Sequence, residues 1–163
     1  MLSQKLLDDI NAQIKHELYS AYLYLSMAAH AESANLPGFA RWMKAQAQEE
    51  MEHAMKFYEY IHDRGAKVVL QAIDQPPSSF TGPTALFEAT LEHEKLVTGL
   101  IHKLFDQAVN DKDYASQAFL QWFVTEQVEE EKNATAILDM LKMAGEKGTA
   151  LFMIDRQLGA RGG

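Results

Sequence analysis

The sequence predicts an all-α protein: a bundle of four long helices, one long crossover between the second and third, and a short fifth helix near the C-terminus. Three observations predict it. Pro and Gly fall mostly in a few short stretches, so the segments between them hold almost no helix breakers. Those segments are rich in Ala, Leu, Glu, Lys, Gln and Met, all good helix formers. Within them apolar residues recur at alternating steps of three and four, the spacing that keeps side chains on one helix face.

The elements follow in order. Ser3 is placed to cap a first helix over about 3–34, which Pro37-Gly38 separates from a second over about 37–64. Pro83 suits the opening turn of a third, 83–110, because that position needs no backbone N–H. A fourth runs over 113–144, and Gly145 and Gly148 set off a short fifth at about 148–158. Gly159 to Gly163 read as a frayed tail. Most links are short, as between antiparallel neighbours, but 65–82 is too long for a hairpin turn. A helix of about 28 residues spans roughly 42 Å. The linking segment extended reaches at most ~60 Å. It can therefore travel the bundle's length and leave the second and third helices parallel. Val68, Val69, Leu70 and Ile73 are expected to anchor it to the bundle surface. At 163 residues, the whole chain 1–163 reads as one domain.

Composition narrows the function. Lys+Arg number 15 against 23 Asp+Glu, a net charge of −8, which argues against a nucleic-acid partner because phosphate binding needs a basic footprint. There is no cysteine, which excludes disulfides, thiolate metal sites, iron–sulfur clusters and thiol nucleophiles. No basic start leads into an apolar run, and no stretch of about 18 apolar residues offers a membrane span. The expected compartment is the cytoplasm, with no membrane partner.

The informative step is to write out each helix's core-facing stripe. The first reads Leu7, Ile10, Ile14, Glu17, Ala21, Tyr24, Ala28. The second reads Phe39, Met43, Gln46, Glu50, His53, Phe57, Tyr60. The third reads Phe87, Thr90, Glu94, Val97, Ile101, Leu104, Ala108, and the fourth Phe123, Gln127, Glu130, Ala134, Ile137, Leu141, Ala144. Each stripe carries a carboxylate near its middle, and none carries Lys or Arg. Burying an uncompensated carboxylate costs several kcal/mol, and four at one level also repel one another. Either protons or cations must resolve this. Glu50-Met51-Glu52-His53 places a carboxylate and an imidazole at i and i+3 on one face. Carboxylate plus imidazole without sulfur suits iron or manganese, with zinc admissible, and two metals bridged by a Glu would spread the charge of all four.

Other residues stand around this pattern. Tyr24, one heptad after Glu17, can hydrogen-bond near the metals or donate an electron. Glu49, Glu126 and Glu129 flank the stripes and can form a further, wetter metal position. His16, His30, His62, His93 and His102 have no comparable surroundings and read as surface or structural residues, and Trp42 and Trp122 as packing residues.

Taken together, Glu17 and Tyr24, Glu49-Glu50-Met51-Glu52-His53, Glu92-His93-Glu94 and Glu126-Gln127-Val128-Glu129-Glu130 resemble the bacterial non-haem ferritins, over essentially the whole chain. The resemblance implies the ferritin-like version of the bundle. It implies that Glu17, Glu50 and His53 hold a first iron, and that Glu50 bridges to a second bound by Glu94, with Gln127 and Glu130 near it. Glu49, Glu126, Glu129 and Glu130 match a third iron position, giving two to three irons per subunit besides a mineral core. The family forms a homo-oligomeric cage of twenty-four subunits that oxidises Fe(II) with O2 or H2O2 and stores ferric mineral inside. Bacterioferritins and rubrerythrins carry a second Glu-x-x-His in the last helix, where this chain has Glu126-Gln127-Val128-Glu129. Met51 stands where bacterioferritins place a haem-ligating Met, but non-haem ferritins carry Met there too, so haem is not expected. The mini-ferritins that protect DNA place their ligands at a subunit interface, which this pattern does not fit. A redox enzyme with a fixed di-iron cofactor, such as a peroxidase, and a metal-free helical scaffold are the competing readings.

Overall fold

Each long helix begins where the chain supplies a cap or a proline. In the computed structural model, which describes residues 1–161, α1 runs Gln4–Ser33, α2 Pro37–Asp63, α3 Pro83–Asn110, α4 Tyr114–Ala144 and α5 Gly148–Gly159. Gly162 and Gly163, the end of the expected tail, lie outside the described residues. Ser3 Oγ accepts the Leu6 N–H at 3.1 Å, and Asp113 Oδ1 accepts the Ser116 N–H at 2.9 Å, so α1 and α4 open on capped first turns. Pro37 and Pro83 open α2 and α3, where the missing N–H would have had no partner in the helix.

Three helices end alike. Leu36 N–H returns to Ala31 O at 2.9 Å, Ala66 N–H to Ile61 O at 3.0 Å and Asp113 N–H to Ala108 O at 2.9 Å. Each closure needs one left-handed residue: Asn35 (φ 59°), Gly65 (φ 70°) and Lys112 (φ 54°). Gly and Asn tolerate this region, but a lysine Cβ crowds the carbonyl. Lys112→Gly should therefore stabilise the protein by roughly 0.5–1 kcal/mol, read as a higher melting temperature. An unchanged or lower value contradicts it.

The crossover fixes the topology. It runs alongside α1, from the Asn11 level to the Ser26 level. Asn11 Nδ2 donates to Lys67 O at 3.3 Å, its Oδ1 accepts from Val69 N at 2.8 Å, and Ser26 Oγ donates to Pro77 O at 2.6 Å. The path makes α2 and α3 parallel. Arg64 grips Asp113 at 2.9 Å across the end of α2 and the start of α4, as antiparallel neighbours require. The expected apolar anchors are only partly correct. Val68 packs against the core, but Val69, Leu70 and Ile73 are exposed. The reason is that an extended segment has unpaired backbone groups, and polar side chains on α1 answer them.

The apolar core is divided in two. Tyr24, Met27, Phe39, Met43, Phe87 and Leu141 belong to one cluster. Ile10, Ile14, Phe57, Val97, Ile101 and Phe123 belong to the other. On all four helices buried polar residues lie between these clusters. α5 closes the first cluster with Ile154 and Leu158, and its buried Asp155 accepts the Phe39 N–H at 3.0 Å.

Candidate metal centre

The polar band holds Glu17, Glu50, His53, Glu94, Gln127 and Glu130, all buried. Helical periodicity puts them there, because each occupies the core position of its stripe. Glu17, Glu50 and Glu94 are each only 1% exposed. Ligand atoms of Glu17, Glu50 and His53 lie within 4.8 Å of one another, and so do those of Glu50, Glu94 and Glu130. Glu50 belongs to both triads. His53 Nδ1 is 3.4 Å from Glu50 Oε2 and 3.8 Å from Glu17 Oε2. Glu17 Oε2 is buried and has no hydrogen-bond partner among the described residues. An unpartnered anionic oxygen beside an imidazole is a donor set that fits a metal ion.

Amides and hydroxyls hold the carboxylates in place. Gln13 Nε2 donates to Glu17 Oε1 at 3.0 Å. Gln46 Nε2 reaches Glu50 Oε1 at 3.2 Å and Glu130 Oε2 at 2.6 Å. Gln127 Nε2 lies 3.1 Å from Glu94 Oε2, from Glu94 O and from Thr98 Oγ1. The Tyr24 hydroxyl donates to Glu94 Oε1. Gln46 and Gln13 were not singled out from sequence. Gln46 stands on the predicted stripe one turn before Glu50, and that position was its only signal.

Without a cation, protons resolve the crowding. Burial drives Glu50 well above its ordinary range. Burial, with the neighbouring negative charges, raises Glu94 to about 7 and Glu130 to about 8. Burial pulls His53 down, but the Glu17 and Glu50 carboxylates outweigh it and raise the imidazole to about 11. Burial also pushes Glu17 up, yet the adjacent His53 and Glu50 side chains and the Gln13 amide hold it below its usual value. His53 and Glu17 are thus shifted toward their charged forms, and Glu50, Glu94 and Glu130 toward their neutral ones.

The flanking residues divide. Glu126, half-buried, forms a third close group with Glu130 and His53. Glu49 instead pairs with Arg161 at 3.1 Å, and Glu129 points to solvent. Trp42 is buried as expected, but Trp122 is 41% exposed. Its ring meets His53 edge-on at 5.4 Å while Lys56 Nζ sits 3.3 Å above it, so Trp122 covers the outer side of the site. His93 bonds Ser20 at 2.7 Å, and burial lowers it to about 4, consistent with a structural residue.

A crossover four-helix bundle with two carboxylate-rich triads sharing one glutamate defines the class of dinuclear-metal carboxylate proteins. Residues 7–144 match the family model described as the ferritin-like domain. The chain is 47% identical over 161 residues to the bacterial non-heme ferritin of Bacteroides fragilis (strain 638R), covering 99% of this chain and 100% of that one. It is 40% identical over 159 residues to a probable bacterial non-heme ferritin-like protein of Haemophilus influenzae, covering 98% and 96%. A solved open pore ferritin from the hyperthermophilic archaeon Archaeoglobus fulgidus matches with a TM-score of 0.98 at 46% identity over 99% of each chain. The chain belongs to the ferritin family, and its function is iron storage.

Proposed function

We propose that the chain is a ferroxidase as well as a store, with Fe(II) as its substrate. The observation that carries this is Glu50's membership of both buried triads, which would set two ferrous ions side by side. Glu17, Glu50 and His53 take the first, and Glu50, Glu94 and Glu130 take the second, with Gln127 beside it. Each Fe(II) gives one electron. O2 takes two electrons and two protons to form H2O2, and H2O2 takes two and two to form two waters. A paired site thus avoids a one-electron oxygen product. Anionic oxygen ligands favour Fe(III) over Fe(II) and supply the driving force. The carboxyls release protons as the ions enter. Tyr24 fixes Glu94 through its hydroxyl and so acts on the second position.

Glu126 and Glu130 form a third position through which iron passes on its way to storage, with solvent-facing Glu129 and the Arg161-paired Glu49 nearby on the route. Storage beyond two or three irons requires a cavity larger than one chain encloses, which points to a homo-oligomeric cage of twenty-four copies. No helix among the described residues is long and apolar enough to cross a membrane, and the proposed compartment is the cytoplasm.

Aerobic titration with Fe(II) tests the reading. The native protein should elute as an assembly of about twenty-four chains of 18.4 kDa, take up far more than two irons per chain and oxidise them rapidly. A Glu50→Ala, His53→Ala variant should oxidise iron at least tenfold more slowly. Uptake that stops at two irons per chain refutes storage in a core. Equal oxidation rates refute the site.

A further inference from the structure

Gln46 belongs to neither triad, yet it is 1% exposed and sits between two of their members. A side-chain amide nitrogen has two N–H bonds. Gln46 gives one to Glu50 on its own helix, at 3.2 Å, and the other to Glu130 on α4, at 2.6 Å. Both acceptors belong to the triad completed by Glu94. The bonds engage Glu50 Oε1 and Glu130 Oε2, one oxygen of each carboxylate, while Glu50 Oε2 faces His53 at 3.4 Å. Glu94, the third member, has its own amide donor in Gln127. The first triad is built differently. Glu17 is held by Gln13 from the same helix, and no side-chain amide ties it across to another ligand.

We propose that Gln46 is a positioning residue for the second metal position. It ties Glu50 to Glu130 across the space between α2 and α4, so that each presents a free oxygen to the same divalent cation. An amide suits this task because it donates to both carboxylates without bringing a positive charge that would compete with the cation. A lysine would neutralise the pair and close the position. Without the tie, two side chains on different helices are free to take other rotamers, and binding must then gather them again. The first position shares Glu50, but its other two members, Glu17 and His53, make no bond to Gln46, and Glu50 alone is not the pair that the tie gathers. Gln46 therefore acts chiefly on the second step, where both of its acceptors are ligands. The inference rests on the two-metal reading above.

The test is anaerobic titration of the assembled protein with Co(II), which does not oxidise there, followed by calorimetry and by visible absorption. Native protein, Gln46→Met and Gln46→Leu are compared. Met and Leu keep an apolar side chain of similar size and remove both donors. The native protein should show two binding steps per chain. Both variants should keep the first within about twofold and weaken the second about tenfold. Unchanged steps in either folded variant overturn the proposal. A loss shared equally by both steps also overturns it, since that marks a general disturbance. A native protein with only one step overturns the two-metal reading itself, and this proposal with it.

Discussion

Raising the pH from about 5.5 to about 8.5 should tighten divalent-metal binding at the buried site and, in the metal-free protein, lower the melting temperature. Both effects have one origin. In the folded chain Glu94 and Glu130 hold their protons up to about 7 and about 8, against 4.5 for an ordinary glutamate. Between those values the folded state binds more protons than the unfolded state, so stability falls as pH rises. His53 acts in the same direction. Its stability contribution is complete below 6.5 and is lost as pH climbs toward about 11. Glu17 runs the other way, its contribution lost only in acid, and buried His93, lowered to about 4, opposes the trend below 6.5. Each unit of pKa difference is worth about 1.4 kcal/mol, so the metal-free fold should lose several kcal/mol across the window. A cation reverses the balance by displacing those protons. Calorimetry of Co(II) binding near pH 6.5, in buffers of different ionisation enthalpy, should therefore report proton release, and release from Glu94 and Glu130 should vanish near pH 9. A melting temperature that is flat or rising from pH 6 to 8.5, or binding that releases no proton, contradicts this account.

The same balance explains why an iron store tolerates a polar band through its core. The two apolar clusters on either side keep the helices together. The band's carboxyls survive burial by keeping protons and by taking amide donors from Gln13, Gln46 and Gln127. Arg and Lys would stabilise the empty site better and would also exclude the iron. Neutral donors and exchangeable protons leave the charge available to the cargo.

Much of this was legible in the residues themselves. Pro37, Gly65, Pro83 and Gly145 mark helix boundaries because their backbone effects are local. The crossover was legible from length alone. Its anchoring was not, because Asn11 and Ser26 meet partners more than fifty residues away and no local pattern signals that. The burial of Glu17, Glu50, His53, Glu94, Gln127 and Glu130 follows from periodicity, which fixes faces. Periodicity does not tell which neighbour a side chain bonds. Gln46 was visible as a stripe residue but not as a bridge, since an amide signals no chemistry on its own. Glu49 could not be separated from Glu126 until Arg161, beyond α5, was seen to take its carboxylate. Trp122 lies at the border of its helix's buried face, where one ring both packs on His53 and meets water.

Gly38 shows the same limit with a larger consequence. Beside Pro37 it reads as part of a helix break, yet it lies inside α2 and its backbone is not left-handed. Its reason is contact. A Cβ at this position would lie 1.6 Å from Asp155 O and 2.6 Å from Asp155 C, backbone atoms of α5 that cannot swing aside. Gly38→Ala should therefore push α5 off the bundle. That breaks the bond from Phe39 N–H to Asp155, exposes Ile154 and Leu158, and withdraws Arg161 from Trp42 and Glu49. The expected loss is about 3 kcal/mol or more, seen as a lower melting temperature and faster tryptic cleavage at Arg156 and Arg161. Gly99 provides the control, because it lies in α3 with no atom near a built Cβ. Gly99→Ala should raise stability by up to about 1 kcal/mol, through helix propensity alone. The same chemical change thus carries opposite signs at two helical glycines. If both variants melt higher than the native protein, α5 is not held by this contact.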